Sequence, residues 1–144
     1  LNSEEPSRDA PSYLFPRPEA LVAADLEGVG LPRKRAETIR IIATALANGE
    51  PLLEMAVDLG TSIQRLTALP GIGDWTAQYI AMRALGEPDA FPAGDLGLRK
   101  AVASADGARP SERELRARSE AWRPWRAYAA VLLWNQLNEE GKDG

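Results

Sequence analysis

The stretch Leu69-Pro70-Gly71-Ile72-Gly73-Asp74-Trp75-Thr76-Ala77 constrains the rest of the chain more than any other. Pro70 sets the turn. Gly71 and Gly73, on either side of Ile72, permit backbone conformations and close approaches that a Cβ would block. One helix therefore stops at Leu69 and the next starts at Asp74, which makes a helix-hairpin-helix. Backbone N–H groups at the start of that second helix face outward and form an anion site, so a phosphate can be held without a basic side chain. Asp74 is the complication: its charge repels a phosphate unless the carboxylate folds back to cap its own helix.

The flanking sequence reads as more short helices. Pro6, Pro11 and Pro16 forbid a regular helix in residues 1–16, a flexible or extended segment. Pro18 suits a first helical turn, and Glu19 to Asp25 make a short helix that ends at Gly28-Val29-Gly30. Ile39, Ile42, Ala43 and Leu46 recur at helical spacing up to Asn48-Gly49. Pro51 opens a short helix through Leu52, Leu53, Met55 and Ala56, closed by Gly60, and Thr61 or Ser62 caps the helix Ile63 to Leu69. The hairpin's second helix runs to about Leu85. Beyond a loop containing Pro88 and Pro92, Asp95 starts a helix through Leu98 and Ala101.

Ser111 and Glu114 fit a capping box, and Pro124 falls at the first turn of the most apolar helix, with Trp125, Tyr128, Ala129, Leu132 and Leu133. Residues 139–144 are a polar tail. No strand alternation and no repeat are present. The pattern predicts an all-α fold, an orthogonal helical bundle over residues 17–138 that contains the helix-hairpin-helix.

Composition narrows the chemistry. A chain of 144 residues, 44% of them hydrophobic, makes one cored domain. With no cysteine and no histidine, disulfides, thiolate metal sites and imidazole acid/base chemistry are all excluded, so carboxylates must carry any such role. The net charge of −4 argues against coating by nucleic acid and makes any DNA grip local. No apolar run reaches the roughly 20 residues of a membrane span. A soluble, intracellular protein is expected, and a start at Leu1 instead of Met suggests a piece of a longer one.

Three segments in order carry a resemblance: the hairpin Leu69 to Ala77, the run Phe91-Pro92-Ala93-Gly94-Asp95-Leu96-Gly97-Leu98-Arg99-Lys100, and Trp122-Arg123-Pro124-Trp125-Arg126-Ala127-Tyr128-Ala129. Over roughly Tyr13 to Leu137 the chain resembles the helix-hairpin-helix DNA glycosylase superfamily, and within it the 3-methyladenine DNA glycosylase II branch. The family's mixed α/β region and first long helices, which carry a DNA-intercalating residue, have no counterpart before Tyr13. The expectation is a carboxy-terminal portion of such an enzyme.

The resemblance implies that Asp95 is the catalytic carboxylate, stabilising positive charge on the deoxyribose and directing a water; on the residues alone, Asp95 is simply an N-cap. It implies an aromatic base pocket of Trp75, Tyr79 and Trp134, suited to a flipped alkylated base. It also implies phosphate binding by the hairpin at Gly71, Ile72, Gly73 and Thr76, and a monovalent cation held by the carbonyls of Thr67, Leu69 and Ile72. No other cofactor is implied.

Bifunctional members have a lysine where this chain has Trp75, and an indole cannot form their Schiff base, so the chain resembles a monofunctional glycosylase. Trp122 and Trp125 read as core, and the arginines as a solvated face. The implied partner is double-stranded DNA with alkylated purines; no membrane or protein partner is expected. The alternative is a non-catalytic DNA-binding module that uses the hairpin alone.

Overall fold

The computed structural model describes residues 14–54, 56–104 and 107–140, and every regular element among them is helical. The helices are α1 (Pro18–Ala23), α2 (Arg33–Ala47), α3 (Leu59–Thr67), α4 (Asp74–Arg83), α5 (Leu96–Ala101), α6 (Glu112–Ser119) and α7 (Arg126–Glu140), with a 3₁₀ turn at Glu120–Trp122. The fold is all-α, as the sequence pattern predicts. No helix among the described residues is long and apolar enough to cross a membrane.

The chain divides into two compact units, Leu1–Gly49 and Glu50–Gly144. In the first, α1 packs on α2. Pro18 opens α1 at its first position, and the intervening turn closes where the Gly28 amide donates to Asp25 and Gly30 takes a φ of 89°. The α2 helix ends at Asn48, followed by Gly49 at a φ of 79°. Leu14 to Arg17 have no regular structure. The rest of the proline-rich segment, residues 1–13, lies outside the described residues.

The second unit holds every residue assigned a role from the sequence. Its core gathers Phe91, Ala93, Leu98, Leu115 and Ala130, against which Met82, Val102, Trp122, Leu133 and Trp134 pack. A smaller cluster of Ala81, Leu85 and Ala90 seats α4 against Leu59 and Ile63 of α3. These clusters join α4, α5, α6 and α7 through the loop between α4 and α5. That loop ends at Asp95.

Three local readings are corrected. No helix forms from Pro51 to Ala56: among the described residues there, the chain turns, with the Leu52 amide donating to Glu50 and the Leu52 side chain buried. The cap of α3 is Asp58, not Thr61 or Ser62. Its carboxylate accepts from both the amide and the hydroxyl of Thr61, each at 2.9 Å, which starts the helix at Leu59 and takes Gly60 inside it. Pro124 precedes α7 instead of lying in its first turn, and α7 runs on through Glu140, into the stretch expected to be tail. Residues 141–144 are outside the described residues. The capping box is present: Ser111 Oγ accepts from the Glu114 amide at 3.2 Å, and Glu114 accepts from the Ser111 amide at 2.7 Å.

Candidate active site

The hairpin turns between α3 and α4 as its composition requires. Gly71 takes a φ of 87°, a left-handed conformation that disfavours any residue with a Cβ. The Ile72 amide donates to the Leu69 carbonyl at 3.1 Å, and its side chain is buried, so the tip of the turn is pinned from inside. Gly73 is extended and caps α4 through its backbone, and a Cβ built on it would meet nothing within 4 Å. Among the described residues, the amides of Gly71, Gly73, Asp74, Trp75 and Thr76 donate to no protein acceptor. Unpaired donors at a helix start present partial positive charge to whatever approaches the open side. Ile72 contributes its buried side chain to this device, not a free amide.

Asp74 does not fold back on its helix. It is the first residue of α4 and makes no capping hydrogen bond; Arg116 of α6 donates to its Oδ2 at 2.8 Å instead. The same guanidinium nitrogen reaches Glu112 at 2.9 Å.

The second segment places Asp95 at the N-cap of α5. Its Oδ1 accepts from the Leu98 amide at 2.9 Å and from the Trp134 indole at 2.9 Å, and its Oδ2 accepts from the Trp75 indole at 3.0 Å. A carboxylate offers about four acceptor directions, so three N–H donors fix its orientation and leave Oδ2 with capacity for one more partner. Trp75 and Tyr79, four residues apart on α4, stack with ring centroids 5.4 Å apart at 13°. Trp134 of α7 closes on Tyr79 at 6.1 Å and 58°. Trp75 is 43% exposed and Tyr79 38%, so the aromatic group opens to solvent. Asp95, Trp75, Tyr79 and Trp134 thus form one cluster, and Trp75 lies within the first turn of the helix that the hairpin opens.

The carbonyls of Thr67 and Ile72 accept from no protein donor among the described residues, and that of Leu69 accepts only from Ile72. Two unpaired carbonyls at a helix end, with the remaining lone pair of the Leu69 carbonyl, are hard oxygen donors of the kind that suits a monovalent cation. No cluster of three or more carboxylates that could hold a metal occurs among the described residues.

The sequence reading missed what holds Asp95 in place. Gln78, buried on α4 between Trp75 and Tyr79, accepts from the Phe91 amide at 2.9 Å and ties the Asp95 loop to α4. Asp89 in the same loop is gripped by Arg126 at the start of α7, with Nε at 2.7 Å from one oxygen and Nη2 at 2.9 Å from the other. Arg126 also reaches Glu120 at 3.0 Å, and Arg123 pairs with both Asp89 and Glu120. Accepting from Arg123 lowers the Glu120 carboxyl below its ordinary value. Arg126 is 6% exposed, so it is not part of a solvated face. The only hint in the sequence was its position inside the Trp122–Ala129 motif.

Trp122 meets Phe91 edge-on at 5.7 Å in the core, as expected. Trp125 does not belong there: it is 58% exposed and pairs edge-on with exposed Tyr128. Tyr128 also lines an apolar groove of about 450 Å³ with Met82, Val131 and Leu132, which contains none of the sequence-predicted site residues.

No protein-family model matches the chain. It is 44% identical over 126 residues to a probable bifunctional transcriptional activator/DNA repair enzyme AlkA of Mycobacterium tuberculosis, covering 88% of this chain and 25% of that protein. It is 35% identical over 130 residues to DNA-3-methyladenine glycosylase 2 of Escherichia coli, covering 88% of this chain and 44% of that one. Among solved structures, the 3-methyladenine DNA glycosylase Mag1 of Schizosaccharomyces pombe in complex with abasic DNA superposes with a TM-score of 0.72 at 28% identity, over 83% of this chain and 62% of that one. The 3-methyladenine DNA glycosylase of Archaeoglobus fulgidus superposes with a TM-score of 0.70 at 33% identity, over 83% and 42%. The chain therefore spans from a quarter to less than half of the length of these two curated relatives.

Proposed function

We propose that this chain, a homologue of the DNA-3-methyladenine glycosylases with their helical fold, is the part of a monofunctional glycosylase that hydrolyses the N-glycosidic bond of alkylated purines in cellular double-stranded DNA. The observation that carries this reading is the convergence of Asp95 with Trp75, Tyr79 and Trp134 beside the hairpin.

The outward amides around Gly71 and Gly73, with the start of α4 through Thr76, bind a backbone phosphate next to the lesion. The damaged nucleotide rotates out of the stack, and its alkylated, positively charged base meets the faces of the aromatic group. The C1′–N bond breaks with its electron pair staying on the base, which leaves neutral. Positive charge then builds on the deoxyribose, and the Asp95 carboxylate, held by its two indoles and the Leu98 amide, stabilises it electrostatically. Water adds to C1′ and releases its proton to Asp95 and then to solvent, which leaves an abasic site. Because an alkylated purine already leaves as a neutral base, little acid assistance is needed. With Trp75 in place of a lysine, no Schiff base forms and the strand stays intact. The carbonyls of Thr67, Leu69 and Ile72 would hold a monovalent cation, whose charge would add to the hairpin's attraction for phosphate.

The test is incubation of the protein with duplex DNA methylated at purines, with the free base identified by mass spectrometry. Released 3-methyladenine, no strand scission before alkali and no borohydride-trapped adduct are expected. A borohydride-trapped protein–DNA adduct would refute the monofunctional mechanism, and an absence of released base would refute the catalytic reading.

A further inference from the structure

The proposed phosphate grip contains a contradiction. The helix that presents free amides to an anion begins with an anion of its own, Asp74. At the first helical position a carboxylate lies among the N–H groups that would receive the phosphate, and like charges so placed weaken binding. Asp74 is 44% exposed and makes no bond within its own helix, so nothing on α4 itself restrains it. The restraint comes from α6. Arg116 Nη2 donates to Asp74 Oδ2 at 2.8 Å, forty-two residues away in sequence. Glu112, four residues before Arg116 on the same helix, accepts from the same nitrogen at 2.9 Å.

The burial of this pair says what it is for. The Arg116 side chain is 40% exposed, and ion pairs that exposed contribute little to stability. Its electrostatic effect at the helix start is a different matter, since a guanidinium at contact distance offsets part of a neighbouring carboxylate's field even when it is shared with a second one. Resting on the phosphate-binding reading of the hairpin, we infer that Arg116 is a positioning residue for DNA binding: by holding and neutralising Asp74 it opens the amides of α4 to a backbone phosphate without touching that phosphate itself. Glu112 helps to aim the guanidinium, and because it shares that nitrogen the three groups keep one negative charge between them, so the neutralisation of Asp74 is partial. The acidic residue at the helix start is thereby compatible with an anion site, and the grip depends on a residue outside the hairpin.

The experiment is a double-mutant cycle read by fluorescence anisotropy with a labelled duplex that carries a tetrahydrofuran abasic-site analogue. The variants are Arg116→Met, Asp74→Asn and the two together, with Gly73→Leu as a check on the grip. Arg116→Met is expected to weaken binding by roughly three- to tenfold at low salt, and less at high salt, with the melting temperature nearly unchanged. Asp74→Asn alone should bind as tightly as the wild type or more so. The double variant should recover most of the way to the level of Asp74→Asn, because the charge at the helix start is gone and only Glu112, which shares the same guanidinium nitrogen, is left without it.

An equal loss in the Arg116→Met single variant and in the double variant, each against its own background, would mean that Arg116 contacts DNA directly, and would overturn the inference. No loss from Arg116→Met while Gly73→Leu weakens binding would overturn the inference and leave the grip standing. No loss from Gly73→Leu, whose Cβ meets nothing within 4 Å, would overturn the grip and the inference with it.

Discussion

The Trp134 indole donates to Asp95 Oδ1 at 2.9 Å across thirty-nine residues of chain, so the last helix of the described structure orients a carboxylate at the start of α5. The α5 and α7 helices pack on each other, and Leu98, Leu133 and Trp134 share one core cluster. The geometry of the carboxylate is therefore set by burial on one side and by an indole N–H on the other.

Trp134→Phe keeps a ring in the aromatic group and removes this one N–H. Loss of an orienting hydrogen bond and a small displacement of Asp95 should lower single-turnover base release by about 10- to 100-fold, with much less effect on duplex binding. Stopped-time release assays beside anisotropy titrations check both. A parallel loss in both would assign Trp134 to binding alone.

Leu98 is fully buried, and its amide donates to the Asp95 carboxylate. Leu98→Ala should cost about 2–5 kcal/mol of folding stability through lost burial and a residual cavity. Urea unfolding measures this. Because the amide is retained, any activity loss should track the unfolded fraction.

Asp89 links the Asp95 loop to α7 through two parallel bonds from a nearly buried guanidinium. Removing Asp89 leaves the Arg126 guanidinium with Glu120 alone, and Asp89→Ala is expected to destabilise the second unit by about 1–3 kcal/mol, discounted for that remaining partner and for the partial exposure of Asp89. Arg126→Lys should recover little of the stability lost in Arg126→Ala, since a point charge cannot bond both oxygens at once. Thermal unfolding of the three variants decides this.

Two helix starts make stability depend on acid. The Thr61 amide and then its hydroxyl hold the Asp58 carboxyl below its ordinary value, and the Ser111 amide and then its hydroxyl do the same for Glu114. A folded-state pKa below the unfolded one gives stability that is present above the unfolded pKa and lost as pH falls through the folded value. The melting temperature should therefore fall as pH drops from about 5 towards about 3, with a shallower slope in Asp58→Asn/Glu114→Gln. Equal slopes in the two proteins would rule out these caps as a source of the pH dependence.

What the sequence made legible was local. The turn at Gly71 and Gly73, the N-cap at Asp95 and the box at Ser111 and Glu114 each follow from residues within four positions of one another. The four-residue spacing of Trp75 and Tyr79 likewise implied their shared face. Reading failed where a competitor lay nearby or a partner lay far away. Asp58 displaced Thr61 and Ser62 as a cap because its carboxylate accepts two bonds from Thr61. Leu52 anchors a turn where the apolar run suggested a helix. Arg126 looks like an ordinary surface charge until Asp89 arrives from the loop between α4 and α5, and the partner that restrains Asp74, Arg116, comes from α6. The exposure of Trp125 is equally a tertiary outcome, since helical spacing does not say which aromatic face another element covers.

The most direct measurement compares the wild type with Asp95→Asn for release of 3-methyladenine from methylated duplex under single-turnover conditions, with binding to the abasic-analogue duplex measured in parallel. Asparagine keeps the Oδ1 acceptor for the Trp134 indole and the Leu98 amide, presents an NH2 in place of the oxygen that accepts from Trp75, and carries no charge to stabilise the sugar. Base release should fall by about a hundredfold or more while duplex binding is retained. Release at the wild-type rate would contradict the role assigned to Asp95.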